Sequence, residues 1–101
     1  MTVTEFREKL AKAQEALEKV PGDWTIETVM LKDVQGNDLG RLQIIAEGPR
    51  SEDEVREAFA GPWAWHVKRY KGIRVESWNA VHANGTQLRG QWWREGGSYG
   101  T

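Results

Sequence analysis

Apolar side chains recur at helical spacing over the first twenty residues of the chain. Phe6, Leu10, Ala13, Leu17 and Val20 follow one another at steps of four and three residues, the spacing of one face of an α-helix, and charged residues occupy many of the positions between them. The pattern predicts an amphipathic helix whose narrow apolar stripe faces a core.

Local signals mark both ends of this helix. Thr2 followed by Glu5 forms a capping box, in which the threonine hydroxyl accepts a hydrogen bond from a backbone N–H of the first turn, and the dipeptide Pro21-Gly22 ends the helix. Oppositely charged side chains four residues apart are expected to pair on the solvent side, at about 0.2–0.5 kcal/mol each. The expected pairs are Glu5 with Lys9, Glu8 with Lys12, and Glu15 with Lys19.

Strand-forming residues dominate the five other segments that we interpret as β-strands. The first two, residues 24–33 and 41–47, are separated by the turn-forming stretch 35–38, which predicts a hairpin. The other three are joined by the dipeptides Lys71-Gly72 and Asn84-Gly85, the second being the stronger hairpin signal. These last three strands are expected at residues 63–70, 73–82 and 86–95.

A second capping box, Ser51 with Glu54, lies between the two groups of strands and predicts a short helix that ends near Ala60. The resulting order is α-β-β-α-β-β-β. Because the strands are joined by connections of hairpin length, we expect an α+β fold, a two-layer sandwich with an antiparallel five-stranded sheet and two helices on one face. Residues 1–95 are expected to form a single domain and residues 96–101 a flexible C-terminal tail.

The two tight turns set a register, because directly opposed residues of an antiparallel pair share a face. Two-residue loops place Trp65 opposite Trp78 and Val81 opposite Leu88. A third residue in either loop would reverse the parity of a strand and exchange its faces. The side chains expected to meet the helices are Tyr70, Ile73, Val75, Val81, Leu88 and Trp92. Those expected on the outer face are Trp63, Trp65, Val67, Trp78, Ala80 and Trp93.

Aromatic and basic residues concentrate after residue 60. Five of the six tryptophans lie there, with six Lys or Arg and two acidic residues, whereas residues 1–60 hold eight basic and thirteen acidic residues. The formal net charge of −1 therefore hides a dipolar molecule. Tryptophan and arginine dominate binding hot spots, and both also stack on the bases of nucleic acids. The distribution predicts a basic, aromatic binding surface.

Composition also excludes several classes of function. The chain contains no cysteine, which rules out disulfides, thiolate metal sites and a cysteine nucleophile. No apolar run has the length of a signal peptide or a membrane span, so we expect a cytoplasmic protein without a membrane partner.

Short motifs associated with catalysis, metal binding or modification do not assemble a site in this sequence. Residues 96–100 match G-x-S-x-G, yet a nucleophile elbow needs a following helix and later acid and His partners, and only Thr101 follows. His66 and His82 are expected on opposite faces of the sheet, and neither has zinc ligands at a suitable spacing. The sequon at residues 84–86 is interpreted as a turn. We predict no catalytic residue, no metal and no cofactor.

These features together predict a small non-enzymatic interaction module that binds a protein partner through the outer face of its sheet. The predicted partner-binding residues are Trp63, Trp65, Trp78, Trp93, Arg69, Arg74 and Arg89. Single-stranded nucleic acid is an alternative ligand of the same face, although a pI near 6.1 opposes phosphate binding. A homodimer interface, and burial of the tryptophans under a covering segment, are the other interpretations.

The order helix, hairpin, helix and meander also resembles the NTF2-like fold, in which a curved sheet and its helices enclose an aromatic-lined cavity. The resemblance implies small-ligand binding in such a cavity. It concerns element order alone, lacks the usual second helix and last strand, and rests on no residue motif, so it assigns no site residues.

Overall fold

Two helices and a five-stranded sheet make up residues 1–32 and 41–93, the part of the chain that the computed structural model describes. The predicted α+β class with five strands and two helices is confirmed. The predicted turn at residues 35–38 and the predicted tail at residues 96–101 lie outside the described residues. In chain order the elements are α1 (Val3–Leu17), β1 (Thr25–Lys32), β2 (Arg41–Glu47), α2 (Glu52–Ala58), β3 (Trp63–Arg69), β4 (Val75–His82) and β5 (Gln87–Trp93).

Helix α1 packs onto the sheet with its C-terminal half. Ala13 is buried, whereas Phe6 and Leu10 on the same stripe are exposed. The side-chain amide nitrogen of Asn84 donates to the backbone carbonyl oxygen of Lys12 at 2.8 Å, which ties the middle of the helix to the β4–β5 turn. The predicted apolar stripe therefore enters the core only beyond Leu10.

The caps of both helices form as the sequence predicts. The backbone N–H of Glu5 donates to Thr2 Oγ1 at 3.1 Å, and the backbone N–H of Glu54 donates to Ser51 Oγ at 3.3 Å. Each bond satisfies an N–H of a first turn that has no partner within its helix. Neither helix of the described part has the length and apolar character needed to cross a membrane.

The ion pairs expected along α1 do not form. Within the described ranges, no acidic and basic side chains of α1 lie within 4.0 Å of each other, so the pairs Glu5–Lys9, Glu8–Lys12 and Glu15–Lys19 are absent. Exposed pairs gain little over hydration and cost side-chain entropy, which explains the difference.

The sheet has the strand order β1-β2-β5-β4-β3, and its central pair, β2 with β5, is parallel. The prediction of a purely antiparallel sheet is wrong at this pair, while the other three neighbouring pairs are antiparallel. The reason is the path of the chain. Helix α2 carries it from β2 to the far edge of the sheet, and the meander of β3, β4 and β5 returns it to the middle, beside β2. Parallel neighbours require such a long crossover.

The turn between β4 and β5 contains three residues instead of the two predicted. The backbone N–H of His82 donates to the carbonyl oxygen of Thr86 at 2.8 Å and closes a loop of residues 83–85. Ala80 therefore lies opposite Leu88, so Leu88 and Trp92 face the helices as predicted, but β4 has the opposite parity to the prediction. Trp78 and Ala80 point toward the helices, and Val75 and Val81, predicted to meet them, lie on the other face. The residues that share the helix-covered face are consequently Trp63, Trp65, Trp78, Leu88 and Trp92.

The side chain of Asn84 explains why this loop takes a third residue. Its amide nitrogen bonds Lys12 of α1, and its Oδ1 accepts a hydrogen bond from the backbone N–H of Thr86 at 3.1 Å. Gly85 follows with a φ of 96°, in the left-handed region that favours glycine. Residues 84–86 therefore lie in a turn, as interpreted from the sequence. A hydrogen bond from Asn84 to Lys12 of α1, far away in the sequence, stabilises that turn.

The connection between β3 and β4 is also longer than predicted. Trp65 lies opposite Ala80 instead of Trp78, a shift of two residues that preserves the parity of the strand. The backbone N–H of Ile73 donates to the carbonyl oxygen of Tyr70 at 3.1 Å within this connection. Tyr70 and Ile73 are consequently exposed and do not meet the helices as predicted.

Aromatic rings fill the space between the sheet and the helices. Phe59, which follows α2, stacks on Trp78 with ring centroids 5.4 Å apart and contacts Trp24 at 5.6 Å and Trp63 at 4.9 Å. Ala13 of α1 belongs to the same buried cluster. Within the described residues, the buried core therefore contains side chains of α1, of α2 and of the face of the sheet that carries Trp78.

Candidate functional site

The face of the sheet opposite the helices is polar, and we refer to it as the open face. In β4 and β5, buried side chains such as Trp78 and Leu88 alternate with polar ones such as Asn79 and Gln87, because successive side chains of a strand point to opposite sides. The outward side chains of the four strands β2, β3, β4 and β5 define the open face. They are Arg41, Gln43, Ile45, Glu47, Ala64, His66, Lys68, Val75, Ser77, Asn79, Val81, Gln87, Arg89, Gln91 and Trp93.

Three amide side chains form a hydrogen-bonded ladder across the middle of the open face. Gln43 Nε2 donates to Gln87 Oε1 at 2.8 Å, and Gln87 Nε2 donates to Asn79 Oδ1. The ladder joins β2, β5 and β4 and fixes the rotamers of its members. Within the described part of the chain, Gln43 Oε1 and Asn79 Nδ2 make no hydrogen bond, so each end of the ladder can accept or donate one to a ligand.

A shallow cavity of about 450 Å³ is lined by two members of the ladder, Asn79 and Gln87. Two basic side chains, Lys68 and Arg89, and the imidazole of His66 border it on the side of β3 and β5. Two acidic side chains, Glu27 and Glu47, border it on the side of β1 and β2. The cavity therefore has a neutral, hydrogen-bonding floor between walls of opposite charge.

The two acidic side chains interact with each other. A β-bulge between Ile26 and Thr28 shifts the β1–β2 register at Glu27, close to the end of β2 where Glu47 lies. A side-chain hydrogen bond to Glu47, and then the negative charge of that carboxylate, raise the pKa of Glu27. Glu27 therefore keeps its proton to a higher pH than an isolated carboxyl group does.

The structure separates the seven predicted partner-binding residues. Trp78 is 2% exposed, and Trp63 and Trp65 are partly buried on the same helix-covered face. The guanidinium carbon of Arg56, from α2, lies 5.6 Å from the centroid of the Trp65 ring, which adds a cation–π contact to this packing. These three tryptophans belong to the contact between the sheet and α2.

Arg69 also joins α2 to the sheet. Its guanidinium lies 3.2 Å from Glu76 Oε1, on a carboxylate that is nearly buried, and 3.4 Å from Glu52 Oε2 at the start of α2. Arg74 lies outside the strands, in the exposed connection before β4. Only Arg89 among the predicted arginines belongs to the open face.

Trp93 is the most exposed tryptophan of the described chain, with 67% of its surface accessible. Strand alternation places it on the side of Arg89 and Gln91. At the end of β5 it also borders a second cavity of about 810 Å³ beside the first turn of α2. It therefore stands at the rim of the open face.

The ladder residues and the acidic pair were not predicted as site residues. The alternation of Gln87, Arg89 and Gln91 with Leu88 and Trp92 is a signal for a polar face. The two-residue turn assumed before β5 hid this signal. That register placed Val81 opposite Leu88, and it therefore distributed aromatic residues that share one face over both faces of the sheet. The histidines lie on opposite faces as predicted, His66 on the open face and His82 against the Trp63 ring.

No group of three or more His, Asp or Glu side chains is arranged to hold a metal ion in the ranges 1–32 and 41–93. No protein-family model, curated protein or solved structure matches this chain.

Proposed function

We propose that this protein is a small non-enzymatic interaction module that binds a protein partner through the open face of its sheet. The observation that carries the proposal is the cavity lined by Asn79 and Gln87, whose side chains are held by the ladder that Gln43 completes. It offers fixed hydrogen-bonding groups together with basic and acidic side chains on a face that neither helix covers. Preorganised polar groups bind without losing further rotamer entropy.

The charge distribution supports a protein as the ligand. Arg89 and Lys68 attract acidic groups, while Glu27 and Glu47 attract basic ones. Protein surfaces carry charges of both signs within such distances, and complementary charges orient the encounter of two proteins. Trp93 at the rim adds a large exposed ring, of the residue type most enriched in hot spots.

The same observations weaken the alternatives. Single-stranded nucleic acid would bring phosphates beside Glu27 and Glu47, and three of the four rings proposed for base stacking pack under the helices. An aromatic-lined ligand cavity of the NTF2-like kind is not supported, because Phe59 and Trp78 pack ring against ring at 5.4 Å and the cavity beside the ladder is polar.

Site-specific photo-crosslinking in the native cells tests the proposal. A photoreactive residue at position 91 on the open face should yield a defined protein adduct, and the same residue at position 57 on α2 should not. Arg89→Glu should weaken the binding of the identified partner by about tenfold or more, the scale of one lost charged contact at an interface. Arg74→Glu, with the same charge change outside the open face, is the matched control.

Each other outcome is informative. Equal adducts from positions 91 and 57, or equal losses for Arg89→Glu and Arg74→Glu, would contradict binding by the open face. Adducts with RNA or DNA, together with a steep loss of oligonucleotide binding as salt rises, would establish the nucleic-acid alternative instead.

A further inference from the structure

A second surface, away from the open face, is apolar and exposed. The apolar positions of α1 fit a heptad repeat, with Val3, Leu10 and Leu17 at a positions and Phe6 and Ala13 at d positions. The later positions enter the core, but the three earliest do not: Val3, Phe6 and Leu10 are 72%, 40% and 45% exposed.

The edge strand β1 exposes two further apolar side chains on the helix side of the sheet. Val29 lies opposite the buried Ile44, so it points to the helix side of the sheet, yet it is exposed, as is Ile26. Ile26 also borders an apolar cavity of about 170 Å³ that Leu17 and Val20, at the end of α1, line from the other side. The C-terminal end of α1 and Ile26 of β1 therefore border the same depression. We define Val3, Phe6, Leu10, Ile26 and Val29 as the α1–β1 surface.

The charges beside this stripe have one sign. Arg7 and Lys9 occupy the e and g positions that flank Phe6 and Leu10, whereas Glu5 and Glu8 lie at the c and f positions on the back of the helix. Within the described part of the chain, neither Arg7 nor Lys9 is within 4.0 Å of a carboxylate oxygen. Both charges are therefore available to a partner at the edge of the stripe.

The two basic flanks disfavour a second copy of α1 as the occupant. In an antiparallel pair of identical helices, e positions face e positions and g positions face g positions, so Arg7 would meet Arg7 and Lys9 would meet Lys9. Like charges at these positions are destabilising. A helix with apolar a and d positions and acidic e and g positions complements both the apolar stripe of α1 and its basic flanks.

We propose that the α1–β1 surface is a docking site for an acidic amphipathic helix of a partner protein. The apolar residues of that helix cover Val3, Phe6 and Leu10, and its acidic flanks pair with Arg7 and Lys9. This surface is separate from the open face, so the protein can hold one partner on each side of its sheet.

Two synthetic peptides and the intact protein test the proposal. Both peptides are 18-residue amphipathic helices with Leu at a and d, one with Glu and the other with Lys at e and g. Calorimetric titration should show that the acidic peptide binds about tenfold more tightly than the basic one, because its flanks meet opposite charges. The double substitution Arg7→Glu with Lys9→Glu should reverse that preference.

The matched control is Lys19→Glu with Lys71→Glu, which changes the net charge equally at exposed positions off the surface. It should retain the preference of the wild-type protein. Leu10→Ser should weaken both peptides, and its unchanged far-ultraviolet circular dichroism would show that α1 persists.

Four results would overturn the proposal. The first is equal binding of the two peptides, and the second is the absence of acidic-peptide binding up to about 1 mM, the weak limit of useful affinity. The third is binding to vesicles of anionic lipid without binding to the acidic peptide. The fourth is a concentration-dependent dimer in sedimentation experiments that Leu10→Ser dissociates, which would make a second copy the occupant.

Discussion

The indole of Trp78 on β4 lies against Gly90 on β5, in space that any side chain at position 90 would enter. The two residues are directly paired, and a Cβ on Gly90 would come within 2.8 Å of the indole nitrogen and 2.1 Å of the carbonyl oxygen of Ala46 on β2. Glycine at position 90 therefore leaves the space that the Trp78 indole occupies. This contact lies on β5, which pairs with β4 on one side and with β2 on the other.

Gly90→Ala should therefore destabilise the fold by about 1–3 kcal/mol, because overpacking forces rotamer and backbone shifts, here against backbone. Urea denaturation followed by tryptophan fluorescence measures the change. Gly22→Ala is the control: a Cβ there has no atom within 4 Å, so the substitution should be neutral or slightly stabilising. Equal stabilities of the two variants would show that the ring does not occupy this position.

The neighbours Trp92 and Trp93 should respond in opposite ways to truncation. Trp92 is 3% exposed on the helix-covered face, and Trp93 is largely exposed. Trp92→Ala should cost about 3–5 kcal/mol, the usual cost of removing a buried aromatic side chain. Trp93→Ala should change the unfolding free energy by only about 0.5 kcal/mol. A larger loss for Trp93→Ala than for Trp92→Ala would show that the other face of β5 packs against the helices.

The cap of α1 offers a test of local stability. Thr2→Ala removes the acceptor of the 3.1 Å hydrogen bond from the Glu5 N–H and should cost about 0.5–1.5 kcal/mol. Thr4→Ala, two residues later inside the helix, should be neutral or stabilising, because alanine has the higher helix propensity. Chemical denaturation compares the two variants. Identical effects would show that the helix begins later than Val3.

Glu27 should make stability depend on pH in a defined direction. Its pKa is raised in the folded protein, first by the hydrogen bond to Glu47 and then by that group's charge, so the folded state holds the proton more tightly than the unfolded state does. The resulting stabilisation is present below the ordinary carboxyl pKa, near 4.5, and is lost as the pH rises through the raised value.

Glu27→Gln removes this titration. Relative to the wild type, the variant should be more stable at pH 7, and the difference should shrink as the pH falls below the ordinary carboxyl pKa. Thermal melts across that range measure it, with Glu8→Gln on the exposed side of α1 as the control. A difference that does not depend on pH would contradict the raised pKa of Glu27.

Local features of this fold were readable from the sequence because they depend on residues a few positions apart. The hydroxyls of Thr2 and Ser51 reach N–H groups three residues later, so both helix starts were predicted. Strand β2 was predicted with its observed limits, since alternation and turn residues act over the same short range. The absence of cysteine likewise excluded whole classes of site.

Tertiary structure decided the faces and the candidate site. The side chain of Asn84 reaches Lys12 on α1, a contact across 72 positions of the chain. It lies in the loop whose third residue puts Trp78 and Ala80 on the same face as Leu88. The parallel pairing of β5 with β2 then joins Gln43 to Gln87 and completes the ladder. Closing such long loops costs conformational entropy, and only the burial of the shared core offsets that cost. These long-range contacts therefore form only when the whole chain has packed.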